Sequence, residues 1–194
     1  MFTLNVPNAL TVLRILLVPV LVVALVDETS SDWLAAGVFA AASLTDAIDG
    51  YLARSRRQVT TFGKLMDPVA DKLLIIAALV VLLSLDRIPA WIVMVIIARE
   101  FAVTVTRMAA TGQGVVISAN WWGKAKTVVQ VAAIFFAIGF DPTPAAVDAL
   151  LYVAVVITVI SGIDYLFGLR RMLAEAEALR AQRAAASSHS RIDV

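Results

Sequence analysis

The chain has 194 residues, 61% of them hydrophobic and 16% charged, with a formal net charge of +1 and a mean hydropathy of +0.89. That apolar content exceeds what a soluble domain of this size needs and places the chain in the all-α integral membrane class. With no cysteine, disulfides, thiolate metal ligation and cysteine nucleophiles are excluded, and no nucleic-acid partner is expected.

A spanning helix takes about 20 mostly apolar residues. Six segments qualify, over roughly 4–26, 33–53, 66–85, 88–109, 121–140 and 145–168. The first is long, contains Arg14 and lacks a small-residue cleavage site, so it reads as a span and not as a cleavable signal. Asp27 to Asp32 makes a polar turn before the second segment, and Asp86-Arg87 followed by Pro89 a tight one before the fourth. Thr111 to Gly114 opens the next loop, and Asp141 to Pro144 separates the last two segments. Beyond 170 the chain is polar, and residues 171–194 read as a tail that is helical at first and then disordered. His189, the sole histidine, falls in that tail and reads as solvated.

Charge sets the orientation of these six spans. The loops after the second and fourth segments and the tail carry Arg54, Arg56, Arg57, Lys64, Lys124, Lys126, Arg170, Arg171, Arg180 and Arg183. The other three loops hold one basic residue, Arg87, among Asp27, Glu28, Asp32, Asp86, Asp141 and Asp148. The positive-inside rule then places both termini in the cytoplasm. Trp33 and Trp91 fall at outer ends and Trp121-Trp122 at an inner end, as in an aromatic belt.

Four aspartates interrupt this apolar background. Asp46 and Asp49 are three residues apart and Asp67 and Asp71 four apart, so each pair shares a helix face. On a helical wheel Asp46, Asp49, Gly50, Ala53 and Arg54 fall within an arc of roughly 140°. The small residues there let a bulky group approach the backbone. An aspartate at the centre of a membrane helix costs roughly 2.5–3.5 kcal/mol, and less toward its end. Arg54 and Lys72 are too few to offset four of them, whereas two divalent cations suffice. Carboxylate-only ligation points to Mg²⁺ or Mn²⁺, and two such ions suit phosphoryl transfer. Other readings exist for single residues. Asp67-Pro68 has the form of a helix start, with Asp as N-cap and Pro at the first helical position. Asp46 or Asp49 can also pair with Arg54.

The pattern D-x2-D-G-x2-A-R-x8-G-x3-D-x3-D, here Asp46, Asp49, Gly50, Ala53, Arg54, Gly63, Asp67 and Asp71, resembles the signature of the CDP-alcohol phosphatidyltransferase family. The resemblance extends over roughly residues 4–170 and implies a six-helix membrane enzyme, homodimeric, with its active site at the cytoplasmic face. It implies that Asp46 and Asp67 bridge two metals, that Asp49 and Asp71 complete their shells, and that Asp71 is also the general base. Gly50, Arg54, Gly63 and Thr60 would meet the CDP moiety of a CDP-lipid.

"NVPNALTVLR" (5–14), "IIAREFAVTVTR" (96–107) and "WWGKAKT" (121–127) look most like the members that make phosphatidylglycerophosphate from CDP-diacylglycerol and glycerol 3-phosphate. Asn8, Thr11 and Arg14 would then face the cytidine or its phosphates, or else make polar contacts between helices. Arg99 and Arg107 lie about 80° apart on a helical wheel, so both can face the bundle. With Lys124 and Lys126 they would form a basic pocket for the acceptor phosphate. The alternatives are an Arg99 pair with Glu100 and ordinary positive-inside anchoring by the two lysines. Arg56, Arg57, Arg170 and Arg171 suit anionic membrane lipids, and Asp164 suits an ion pair or an interfacial position. Two other acceptors within the family, phosphatidylglycerol (as in cardiolipin synthases) and inositol phosphate, remain open. So does a divalent-cation transporter, although a cation pathway calls for carboxylates through the whole membrane depth and no cluster of Arg and Lys.

Overall fold

A computed structural model describes the backbone of residues 6–27, 29–56, 61–112 and 121–189. Six helices make up this region: α1 (Val6–Val26), α2 (Asp32–Arg56), α3 (Thr61–Ser84), α4 (Ala90–Gly112), α5 (Trp121–Gly139) and α6 (Ala145–His189). Each apolar segment read from the sequence therefore lies in its own helix. Two of them, through Ala9–Val26 and Ala145–Met172, are long and apolar enough to cross a membrane by length and composition. Shorter apolar stretches occupy Asp32–Thr45 in α2 and Lys72–Ser84 in α3.

One boundary differs from the sequence reading. The Asp67-Pro68 pair does not start a helix: α3 begins at Thr61, so both residues and Gly63 lie within it. Proline forfeits one backbone hydrogen bond in a helix, a loss that packed neighbours can absorb. At the other end, α6 runs unbroken past residue 170 to His189. Its Ala-, Glu- and Arg-rich continuation consists of strong helix formers.

α1 packs along α2 and α3, α2 also packs on α5, and α6 packs along α4 and α5. The dry core is confined to one half of this bundle. Leu21 of α1, Phe39 of α2, Leu79 and Leu82 of α3, Ile92 and Ile96 of α4, Ile134 and Ile138 of α5 and Leu151 of α6 are fully buried. All lie toward the end where α1 meets α2, α3 meets α4 and α5 meets α6. The buried polar residues Thr11, Arg14, Lys126, Gln130, Thr158 and Ser161 lie toward the opposite end. That end also carries the last turns of α2 and the first turns of α3.

The dry end is closed by defined contacts. In the α1–α2 turn the Thr29 hydroxyl and amide donate to Asp27 Oδ1 and the Ser30 hydroxyl donates to Oδ2. These bonds hold the Asp27 carboxyl below its usual range, the Thr29 hydroxyl contributing most. α3 ends in a Schellman motif: the Arg87 amide donates to Leu82 O at 2.9 Å and the Asp86 amide to Leu83 O at 3.1 Å. Asp86 takes the left-handed position, with φ of 55°, that glycine usually fills. This stop aims Arg87 across the bundle end. Its guanidinium donates to Asp32 Oδ1 at 2.8 Å and to Ile138 O at 2.9 Å, and pairs with Asp141 Oδ2 at 2.9 Å. One arginine thus ties the start of α2, the α3–α4 turn and the end of α5. Beside it the Trp33 ring meets Phe140 edge-on at 5.1 Å. A Cβ on Gly139 would stand 3.0 Å from that indole, so a side chain there would press on the ring.

Replacing Arg87 by alanine leaves two carboxylates and a carbonyl without their shared donor. Because Asp32 and Asp141 are 35% and 51% exposed, solvent takes up part of the loss, which is expected at about 1–2 kcal/mol. Thermal unfolding of the detergent-solubilised protein should show Tm lowered by several degrees in R87A. Asp86→Gly should raise it, since glycine relieves the left-handed backbone by about 0.5–1 kcal/mol. Equal midpoints for R87A and the parent chain would contradict the role given to Arg87.

Candidate active site

The aspartate motif is carried by the polar half of the bundle. Asp46, Asp49, Gly50, Ala53 and Arg54 are in α2, and Gly63, Asp67 and Asp71 in α3. Both stretches are helical, so the same-face pairing argued from spacing applies to each pair. The side chains of these residues, and Thr60 altogether, lie outside the described residues. Among the described residues no three His, Asp or Glu side chains gather as metal ligands do. The donor set itself, four carboxylates on adjacent helices without His or Cys, fits a hard divalent cation.

The basic set is resolved in more detail. Glu100 on α4 stands at its centre. Its Oε1 accepts from Lys126 Nζ of α5 and, at 3.3 Å, from Arg99 Nη1. Its Oε2 lies 3.9 Å from Lys72 Nζ of α3, the residue after Asp71. The Glu100 side chain is only 13% exposed and that of Lys126 7%. Burial at that level requires compensation of charge, and the mutual pairing supplies it. Lys126 is therefore not a simple interfacial anchor, and the Arg99–Glu100 pair anticipated from the sequence is present.

Arg99 is held from a second side. Its Nη2 donates to Ser161 Oγ of α6 at 2.8 Å, and that hydroxyl donates on to Thr158 O at 3.0 Å. Gly162 lies against the arginine stem: a Cβ there would stand 3.3 Å from Arg99 Cγ. Arg107 is placed apart from this group, with its guanidinium 5.7 Å from the centre of the Tyr165 ring, within cation–π range. Lys124 is exposed. So of the four cations read as an acceptor set, Arg99 and Lys126 converge, while Arg107 and Lys124 stand outside their cluster. Thr11 and Arg14 are buried at 1% and 0% exposure on one face of α1; the Asn8 side chain lies outside the described residues.

A cavity of about 520 Å³ opens between α2, α3 and α5. Ser43, Lys72, Glu100, Lys126 and Gln130 line its polar part, and Leu44, Ile75, Phe135 and Phe136 are among its apolar walls. It therefore joins a charged region to a greasy one, the two chemistries of a phospholipid precursor. Ser161, Gly162, Ser43 and Gln130 carried no motif in the sequence. The available signal was a Ser-Gly pair with Thr158 three residues before it, small and polar residues inside an apolar span.

The family model for CDP-alcohol phosphatidyltransferase matches residues 4–160. The chain is 43% identical over 183 residues to the CDP-diacylglycerol–glycerol-3-phosphate 3-phosphatidyltransferase of Bacillus subtilis, covering 83% of this chain and 93% of that protein. It is 41% identical over 167 residues to a probable phosphatidylglycerophosphate synthase of Mycobacterium tuberculosis, covering 83% and 79%. It is 37% identical over 170 residues to the CDP-diacylglycerol–glycerol-3-phosphate 3-phosphatidyltransferase of Haemophilus influenzae, covering 84% and 91%. With the motif placed on adjacent helices and the match extending through most of the chain, this protein belongs to the CDP-alcohol phosphatidyltransferase family and is an enzyme.

Proposed function

We propose that the enzyme transfers the phosphatidyl group of CDP-diacylglycerol to glycerol 3-phosphate, forming phosphatidylglycerophosphate and releasing CMP. The observation that carries the choice of acceptor is the convergence of Lys72, Arg99 and Lys126 beside the motif helices. Neutral acceptors such as serine or free inositol need no such donors, whereas a phosphate monoester does. The names of the relatives point to the same reaction.

In this reading the acceptor hydroxyl oxygen attacks the diacylglycerol-side phosphorus, the bond to the CMP oxygen breaks, and Asp71 takes the hydroxyl proton. Asp46, Asp49, Asp67 and Asp71 would hold two divalent cations, Mg²⁺ or Mn²⁺, which supply neutralisation of the pyrophosphate charge. Gly50 lets the nucleotide approach the backbone, Arg54 meets its phosphates, and Thr60 and Gly63 border it. Asn8, Thr11 and Arg14 face the cytidine side. The apolar part of the cavity receives an acyl chain of the lipid, and Arg99 and Lys126 receive the acceptor phosphate, with Arg107 and Lys124 farther out. Six spans with both termini and this site at the cytoplasmic face of the cell membrane follow from the basic loops. The exposed apolar side chains along the helices, among them Met94, Val105, Val156 and Phe167, suit contact with lipid or a second copy in a homodimer.

Radiolabelled glycerol 3-phosphate should enter lipid when membranes containing the enzyme receive CDP-diacylglycerol and Mg²⁺, and chelation should stop it. Consumption of another acceptor in its place, in a mixture that includes phosphatidylglycerol and inositol phosphate, would overturn the choice. Asp71→Asn should lower turnover by at least about 10²-fold, the scale of a lost general base, while CDP-lipid binding persists.

The cradle of Arg99 gives a second check. Gly162→Leu fills the space of the arginine stem and pulls Nη2 off Ser161, a charge-assisted hydrogen bond worth about 1.5–3 kcal/mol. KM for glycerol 3-phosphate should rise roughly tenfold or more in G162L. G162A, whose Cβ meets only the flexible Arg99 stem, should stay near the parent value. Indistinguishable KM values for G162L and the parent would remove Arg99 from the acceptor site.

A further inference from the structure

Glu100 is outside the motif, and as a carboxylate it repels both anionic substrates. It nevertheless lines the cavity with Lys72 and Lys126 and collects donors from three helices: Lys126 and Arg99 on one oxygen and Lys72 beside the other. A phosphate monoester offers the same donors the same kind of oxygen acceptors, three of them, with a charge of about −1.5 to −2. The carboxylate therefore occupies, chemically, the place of the group that the cations are proposed to bind.

We propose that Glu100 is an internal counter-anion: it holds the phosphate-binding cations in place while the acceptor site is empty, and it yields Lys126 to the acceptor phosphate. The proposal deepens the acceptor reading above and rests on it. Without Glu100, the three cations gathered on it would repel one another more strongly at this buried position. With it, the set stays assembled and accessible from the cavity. The two kinds of cation have different parts. Arg99 is fixed on Ser161 and packed against Gly162, so it stays put as a fork for the phosphate oxygens. Lys126 sits on a flexible four-carbon stem and can exchange one anion for another without moving α5. Glu100 is thus a positioning residue whose charge opposes the ligand it prepares for. A neutral residue of the same shape should bind phosphate more tightly, the opposite of what loss of a purely supporting residue produces.

The test measures inorganic phosphate binding by calorimetry to the full-length enzyme in detergent at fixed ionic strength, with Mg²⁺ present throughout. Glu100→Gln should tighten phosphate roughly fivefold, about 1 kcal/mol at 1.4 kcal/mol per tenfold, and KM for glycerol 3-phosphate should fall with it. Lys126→Met should weaken phosphate. Glu100→Asp draws the carboxylate back by one methylene and should give a smaller gain of the same sign, which keeps the test open if E100Q does not fold. Phosphate affinity that is unchanged or weaker in E100Q, or in E100D where that variant must stand in, would overturn the role of Glu100 while leaving the acceptor reading intact. A parent enzyme that binds no phosphate would overturn both.

Discussion

A charge placed in an apolar helical bundle has to be matched by an opposite charge within reach, because the surroundings neither solvate nor screen it. Both ends of this molecule are organised by that constraint. At one end a single arginine, Arg87, takes two aspartates and a backbone carbonyl. At the other a single glutamate, Glu100, takes Lys72, Arg99 and Lys126. The first arrangement closes the bundle, with its two carboxylates partly in solvent. The second gathers three cations on one carboxylate beside the cavity.

The packing separates these two tasks. The core of Leu, Ile and Phe lies in the half that Arg87 closes, where the helices interlock without buried charge. Small residues of α2, Ala35, Ala36 and Ala42, allow close approach there, with Phe39 filling the centre. Thr11, Arg14, Lys126, Gln130, Thr158 and Ser161 are all buried in the other half. A rigid dry half lets the polar half hold side chains in place at some cost in stability, because the cost is spread over a bundle already assembled. The cavity between α2, α3 and α5 spans the transition, with Lys72 and Glu100 in its polar part and Phe135 and Phe136 on its apolar walls.

Much of the fold is legible along the chain because each helix coincides with a long, mostly apolar run bounded by turn residues. All six helices lie where such runs lie. Boundaries were less legible where a local signal competed with the continuing helix. Asp67-Pro68 has the chemistry of a helix start, yet α3 is already under way at Thr61. Proline is tolerated inside a packed helix when neighbouring groups take up the freed carbonyl, and no short stretch of sequence reports that. The continuation of α6 to His189 has a simpler basis: its Ala, Glu and Arg residues favour a helix whether or not it is in a membrane.

The sequence by itself determined the elements, the family and the identity of the motif aspartates. Those depend on period and spacing within one or two neighbouring helices, and a helix converts spacing directly into a shared face. Only the tertiary structure decided how the basic residues are used. Glu100 and Lys126 are 26 residues apart, Arg99 and Ser161 62 apart, and Arg87 reaches Asp32 across 55 residues and Ile138 across 51. No periodicity links such positions. Their pairing follows from which helices lie side by side, and so the split of one basic set into a pair held at Glu100 and two cations outside it is a property of the packed bundle.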